Sequence, residues 1–533
     1  MSSGYYEHEN KKAAENRTTT RNSIGRGIFV AASMILQAAW AVLIVTFFYN
    51  HYFYIEELVK IATVGLVLYI YAKRENAAFK LPWIMLILAF PILGTTLYFM
   101  ITRSSSLKKM KRRYAEIDDV LLPALPDSSG LIGEIEKEDP TFAGMARYIQ
   151  THGGYPKGYP VYRNTKVTFY PDAVPALEAQ KEALRNAKSF IFMEYHAIED
   201  RLAFKEVHEI LRQKAAEGVE VRLIYDDLGS IIFINGEFRK KLISEGIQCR
   251  VFNPVFPILQ TFQNNRDHRK ITVVDGQVGF TGGYNMADEY FHLKKMYGFW
   301  KDSGLKLEGE AVTSFTLMFL EMWNAIDRTD EKAHVDVAKY FPKTKPVFGE
   351  MGFVQPYADS PMDNIHVGED VYMNLINAVQ KYIYITTPYL VITDDLARML
   401  RLAAQRGVDV RIITPGIPDK RMVFNVTRSY YSRLVESGVR IFEFSPGFVH
   451  AKECVCDGKY ALCGTINLDY RSFYHHFEDG VLLYKTKAVR DIEKDFMETF
   501  PRCEEVTEKY RHRRRLSLLK LWQVILRLFA PLM

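Results

Sequence analysis

The sequence predicts a duplicated α/β fold, two halves packed against each other behind N-terminal transmembrane helices. Three observations carry this expectation. The pattern His268, Lys270, Asp275, Gly282, Asn285 recurs 182 residues later as His450, Lys452, Asp457, Gly464, Asn467, with every internal spacing kept. Upstream of each copy runs an apolar strand, an amphipathic helix, a glycine turn (Gly218, Gly407) and a second strand. Three apolar stretches crowd the first hundred residues.

Taken in order, residues 1–26 read as a polar tail and 27–102 as a membrane segment of two to three helices. Its apolar stretches run from about Gly27 to Tyr49, Glu57 to Ala72 and Leu81 to Ile101. The first and third are long enough to span a bilayer, while Pro82, Pro91 and Gly94 suit a bent third helix. A long polar tail followed by repeated apolar stretches argues for a retained anchor over a cleaved signal. Basic residues lie in the tail and again after the third stretch, so three full spans place the two clusters on opposite faces. Lys108 to Arg113 is the densest cluster, and it predicts a multi-pass cell-membrane protein with its catalytic part in the cytoplasm.

Residues 103–150 read as a basic juxtamembrane linker, 151–345 as the first half, 346–505 as the second, and 506–533 as a basic amphipathic helix. Alternating strand and helix patterns argue for mixed α/β layers with central strands apolar on both faces. A content of 48% hydrophobic residues over 533 supports a core of that size. The terminal helix lines Arg513, Ser517, Lys520, Gln523 and Arg527 along one stripe, opposite Leu516, Leu519, Trp522, Leu526 and Phe529. That pattern suits an anionic lipid interface, with docking on the chain's own surface as the alternative.

A net charge of +6 is too modest for a general nucleic-acid binder. The five cysteines avoid CxxC spacing, and Cys454 and Cys456 alternate on a strand, so they read as packing residues. No carboxylate cluster points to a metal, and no cofactor is expected.

The chemistry sits in the repeat. A histidine two residues from a lysine on a strand shares its face, giving a cation to neutralise phosphate oxygens and an imidazole to attack phosphorus or move a proton. Gly282 and Gly464 supply close backbone approach, and Asn285 and Asn467 an amide donor. Two copies brought together offer one nucleophile and one general acid, with two lysines in place of a metal. Asp275 and Asp457 each precede glycine, a turn signature. The remaining histidines, His475 and His476 among them, read as structural or lipid-proximal.

These motifs resemble the phospholipase D superfamily. HRKITVVD with GGYN, and HAKECVCD with GTIN, match its paired HxKxxxxD and GG/GSxN pattern. Within it the chain is most similar to the bacterial cardiolipin synthases, through NNRDHRKITVVDG, FTGGYNMADEY, FWKDSGLKLEGEAV, TTPYL, GVDVRIITP and GTINLDYRSF followed by Phe477 and Glu478. The likeness covers nearly the whole chain apart from the polar tail and the first apolar stretch.

The resemblance implies a duplicated phospholipase D-like domain, two α/β halves around a pseudo-twofold axis, and a phosphohistidine intermediate. By analogy His268 is nucleophile and His450 general acid, an order that the sequence alone leaves open. The implied catalytic set is His268, Lys270, Asp275, His450, Lys452 and Asp457. Asn285, Asn467, Gly282, Gly283, Gly464 and Thr465 are implied for phosphate binding, Thr465 keeping the hydroxyl where GTIN departs from GSxN. Glu478 and Asp302 are the carboxylates implied to orient the histidines. The expected reaction transfers a phosphatidyl group between two phosphatidylglycerols and releases glycerol. Phospholipid and membrane are then the partners, nucleic acid is not, and oligomeric state stays open. A hydrolase or another alcohol acceptor, a nuclease and an inactive scaffold are the rivals.

Overall fold

The computed structural model describes residues 56–103, 105–152, 158–255, 261–326, 337–341, 346–349, 351–511 and 518–532, with helical fragments between 28 and 46. The two predicted strand–helix–strand units are present as Phe190–Tyr195, Leu202–Ala216, Glu220–Asp226 and as Tyr382–Thr386, Asp394–Gln405, Asp409–Pro415. Each belongs to its own mixed sheet.

The first sheet runs, edge to edge, Thr165–Tyr170, Gly304–Gly309, Val278–Gly282, Lys270–Val274, Phe190–Tyr195, Glu220–Asp226, Gln248–Phe252. The second runs Phe353–Asp359, His476–Tyr484, Tyr460–Gly464, Glu453–Cys456, Tyr382–Thr386, Asp409–Pro415, Arg440–Phe444, and adds Cys503–Glu505 at its far edge. The first seven positions correspond one to one, in order and in direction of pairing. Every residue of Phe190–Tyr195 is buried, as expected of a central strand covered on both faces.

One apolar core, drawing on both sheets, joins the halves, while a second covers the other face of the first sheet. Helix Val312–Ile326 lies in the shared core, buried all round from Val312 to Ala325. Cys454 and Cys456 are packing residues in the same core, their sulfurs 3.6 Å apart.

Three expectations change. The segment 103–150 is no linker: it forms helices Ser105–Leu121, Ser129–Glu138 and Pro140–Gln150. Their apolar faces, including Tyr114, Leu121, Ile132, Ile135, Phe142 and Ile149, enter the shared core. The basic cluster Lys108 to Arg113 behind the linker reading belongs to the first of these helices, where Lys109 and Arg112 are exposed and Arg113 donates to the Asn324 carbonyl at 3.1 and 2.6 Å.

The stretch Leu81–Ile101 is not one bent span. It breaks at Phe90, before Pro91, into helices Ala77–Ala89 and Pro91–Thr102. Gly94 permits the tight turn, because a Cβ there would lie 2.7 Å from the Ile87 Cα. Among the described residues no helix is long and apolar enough to cross a membrane. Of the stretch Gly27–Tyr49, residues 28–29, 31–40, 42–43 and 46 are described and helical, with Ile35, Leu36 and Trp40 exposed. Helix Glu56–Ala72 leaves Ile61, Val64, Leu68 and Tyr71 exposed.

The terminal helix Leu518–Leu528 is docked, with Leu526 buried and Gln523 Nε2 donating to the Asn425 carbonyl at 3.3 Å. Arg527 lies 4.5 Å from the Tyr430 ring centroid. Trp522, Ile525 and Phe529 stay exposed on the same helix turn region. Most of the basic run before it lies outside the described residues.

Candidate active site

Each histidine is delivered by a short strand that pairs with the other half. Arg266–Asp267 runs parallel to the start of strand His476–Tyr484, in the register Asp267 to Phe477, and the His268 amide donates to the Phe477 carbonyl at 2.9 Å. In the matching position Gly447–Val449 runs parallel to Phe299–Lys301, in the register Val449 to Lys301, and the His450 amide donates to the Lys301 carbonyl at 2.7 Å. These registers set His268 beside Glu478 and His450 beside Asp302.

The orienting carboxylates therefore cross between halves. His268 Nδ1 lies 2.9 and 2.8 Å from the two Glu478 oxygens. His450 Nδ1 lies 2.8 Å from Asp302 Oδ2. Both acids are fully buried, so each fixes its imidazole with Nδ1 protonated and Nε2 bare. The sequence pairs each histidine with a downstream acid without showing that the acid serving His450 precedes it by 148 residues.

Lys270 and Lys452 sit on the same face as their histidines, as the two-residue spacing requires. Lys270 Nζ donates to the His268 carbonyl at 2.5 Å. Lys452 Nζ lies 2.8 and 3.0 Å from the ring nitrogens of His450 and donates to its carbonyl. Burial lowers Lys270 to about 8 and Lys452 to about 7. Burial, then the two lysines, push both imidazoles well below their ordinary range. Burial raises Asp302 to about 6 against the pull of Lys452. The result is two buried lysines clustered beside two imidazoles, an arrangement suited to a phosphate anion.

The other implied residues divide. Asn285 donates through Nδ2 to the Tyr290 hydroxyl at 2.8 Å and accepts from the Ala197 amide at 3.1 Å. Asn467 is buried, with its Oδ1 unpaired. Thr465 donates to Glu478 Oε2 at 2.5 Å, so its hydroxyl holds the orienting acid rather than a phosphate. The glycines allow close approach to the protein itself: a Cβ on Gly282 would meet the Ser303 carbonyl at 2.4 Å, on Gly464 the Asp479 carbonyl at 2.4 Å, and on Gly283 Asp302 Oδ1 at 2.0 Å.

Asp275 and Asp457 are a correction to the implied catalytic set. Both have φ 53° and lie in turns at the far end of the strand, roughly 20 Å of chain from the histidines. Asp275 accepts from the amides of Lys188, Ser189 and Phe190 at 2.7–2.9 Å, and Asp457 from those of Gln380, Lys381 and Tyr382 at 2.8–2.9 Å. They anchor the loop that starts the central strand of each sheet. The turn reading of the Asp–Gly pair is the one the contacts support.

Two flanks of the site go beyond the sequence reading, which takes His196 and His476, with the other remaining histidines, as structural or lipid-proximal and assigns no role to the aromatic residues. His268 is bordered by His196 and His476, with ring centroids at 5.0 and 5.3 Å. His450 is bordered by Tyr290, Trp300 and Phe448 at 5.3, 5.6 and 5.9 Å. Their spacing within the local strands was a visible signal for Trp300 and His476, each two residues before an orienting acid. Ligand atoms of His268, His476 and Glu478 fall within 4.8 Å of one another, a spacing that suits a metal ion. The hydrogen bond between His268 and Glu478 uses the same atoms, and the neighbouring lysines oppose a cation, so the donor set fits poorly.

A family model described as "Cardiolipin synthase, PLD-like domain" matches residues 181–323 and 372–500, spanning both histidine motifs. A cardiolipin synthase of Halalkalibacterium halodurans is 32% identical over 86% of this chain and 90% of its own length. The Bacillus anthracis protein named cardiolipin synthase 2 is 33% identical over 87% and 88%. An uncharacterized protein of Streptococcus mutans is 39% identical over 88% of this chain and its whole length. Among solved structures, the phosphatidylserine synthase of Haemophilus influenzae superposes with a TM-score of 0.54 at 18% identity, covering 70% of this chain and 95% of that one. Paired half-sites in one phospholipase D-like α/β fold and this kinship along most of the chain place it in the cardiolipin synthase family, as a phosphatidyltransferase.

Proposed function

We propose that the chain makes cardiolipin by moving a phosphatidyl group from one phosphatidylglycerol to another through a phosphohistidine. The observation that carries this is the pair of His–Lys half-sites, each imidazole held by a carboxylate from the opposite half. When the phosphodiester anion binds, its charge offsets the lysines and His450 takes up a proton at Nε2. In the first step His268 Nε2 attacks phosphorus, the bond from phosphorus to the glycerol headgroup oxygen breaks, and His450 gives that oxygen its Nε2 proton. In the second, a glycerol hydroxyl of another phosphatidylglycerol loses its proton to His450 and attacks phosphorus, and the N–P bond breaks. Lys270 and Lys452 neutralise the phosphate oxygens in both steps, and the anion's charge offsets the lysines and restores basicity to the imidazoles. Asn285 and Asn467 border the phosphate as amide donors.

The bilayer is the source of both substrates. Support comes from the exposed apolar side chains Ile61, Val64, Leu68 and Tyr71, from Trp522 and Ile525 on the docked terminal helix, and from Phe529 just after it. The chain attaches to the cell membrane through these ends, with residues 151–345 and 346–505 as its catalytic halves on the cytoplasmic side.

Purified protein incubated with phosphatidylglycerol in detergent tests the reading. Cardiolipin and free glycerol in equal amounts are expected. Phosphatidic acid as the dominant product makes the enzyme a hydrolase instead.

A further inference from the structure

We propose that His476 is a positioning residue for phosphatidyl transfer, holding Glu478 through its Nδ1–H and thereby fixing the ring of His268. The inference rests on His268 being the reacting imidazole on that side of the site.

Geometry determines the tautomer. Arg471 Nε lies 3.2 Å from His476 Nε2, and a guanidinium has only donors, so Nε2 must be the acceptor. Burial keeps the ring neutral against the opposing pull of Glu478, with the nearby Arg471 and His268 adding to the effect of burial. The one ring proton is therefore on Nδ1. That atom is buried without a hydrogen-bond partner, and it lies 3.4 Å from Glu478 Oε1. A buried donor left just beyond bonding range of a carboxylate calls for an explanation.

Glu478 supplies one. Its Oε2 takes donors from both His268 Nδ1 and Thr465 Oγ1, at 2.8 and 2.5 Å, while Oε1 shares only the His268 proton at 2.9 Å. When Nε2 of His268 bonds to phosphorus, the ring becomes cationic and its Nδ1–H draws harder on the carboxylate. A turn of Glu478 that shortens the His476 contact by about 0.5 Å completes a hydrogen bond to Oε1. The carboxylate is then held at both oxygens during the covalent intermediate.

The device exists on one side only. The residue two before Asp302 is Trp300, whose Nε1 is also buried and unpaired but whose indole packs, tilted, against Tyr290 and Phe448. Thus the two half-sites differ at the position two residues before the orienting acid, and the imidazole supported there is His268.

Three variants separate positioning from packing. An Asn amide nitrogen falls near imidazole Nδ1, and a Gln amide near Nε2. His476→Asn is expected to keep kcat within about threefold, whereas His476→Gln and His476→Ala lose about tenfold or more in kcat, with KM for phosphatidylglycerol within about twofold. The reaction read is glycerol release from phosphatidylglycerol, which transferase and hydrolase share. Rescue by Gln and not Asn would mean that His476 only anchors Arg471. Wild-type kcat in all three variants, or a change confined to KM, overturns the inference equally. If the wild-type protein releases no glycerol, the functional reading has failed, and the same comparison is made on bis(p-nitrophenyl) phosphate, whose cleavage needs only the histidine pair.

Discussion

Replacing Asp275 separates the motif's structural members from its chemical ones. Its carboxylate accepts from three consecutive amides, two exposed and one part-buried, at the start of the central strand. In Asp275→Ala the part-buried Phe190 amide loses its partner, at about 1–2 kcal/mol, and the two exposed amides turn to water at about 0.5 kcal/mol each. Alanine at φ 53° adds about 1 kcal/mol, since Asp tolerates the left-handed region better. The total is about 3–4 kcal/mol, which for a unit of this size lowers the melting midpoint by about 6–16 °C. Asp275→Asn keeps one acceptor and the turn, and is expected to fall between alanine and wild type. Melting is followed by tryptophan fluorescence, and kcat is measured well below the midpoint, where it is expected to stay within about twofold. A loss of kcat by about a thousandfold with unchanged melting would return Asp275 to the catalytic set and refute the reasoning. The matching contacts of Asp457 predict the same behaviour for Asp457→Ala.

Glu478→Gln and Asp302→Asn keep an acceptor for each imidazole but remove the charge, so steady-state kcat is expected to fall about 10–100-fold in each, the worth of one charge-assisted hydrogen bond. The free enzyme's kcat/KM is expected to decline as pH rises through about 7 to 8, because Lys452 near 7 and Lys270 near 8 carry their charge only below those values. In Lys452→Arg a pH profile should show that decline moved to higher pH. Gly283→Ala puts a Cβ 2.0 Å from Asp302 Oδ1 and 2.9 Å from the His450 carbonyl, so glycerol-release assays should show kcat down by at least tenfold.

How much of this was legible in the sequence follows from where the information lies. The two strand–helix–strand units were visible because hydrophobic periodicity is local. The histidines, lysines and their shared face followed from spacing. The crossing of Glu478 to His268 and Asp302 to His450 was not visible, since it depends on the two short parallel pairings between halves, which leave no periodic trace in strands of two or three residues. Helix Ser105–Leu121 was misread as linker because its charges are dense, although Tyr114 and Leu121 face the core. The third apolar stretch was misread as one span because composition does not record the close approach that Gly94 allows between helices Ala77–Ala89 and Pro91–Thr102. Thr465, implied for phosphate, turned to Glu478 because the acid arrives from the adjacent strand His476–Tyr484.

The central claim is that His268 and His450 of one chain serve one phosphate. It is tested most directly by preparing His268→Ala and His450→Ala separately, confirming that each melts as the wild type does, and assaying cardiolipin formation for each alone and for the two mixed. A single site split between halves predicts no product from either variant and none from the mixture. Activity in either variant alone, or its recovery on mixing, would contradict the account.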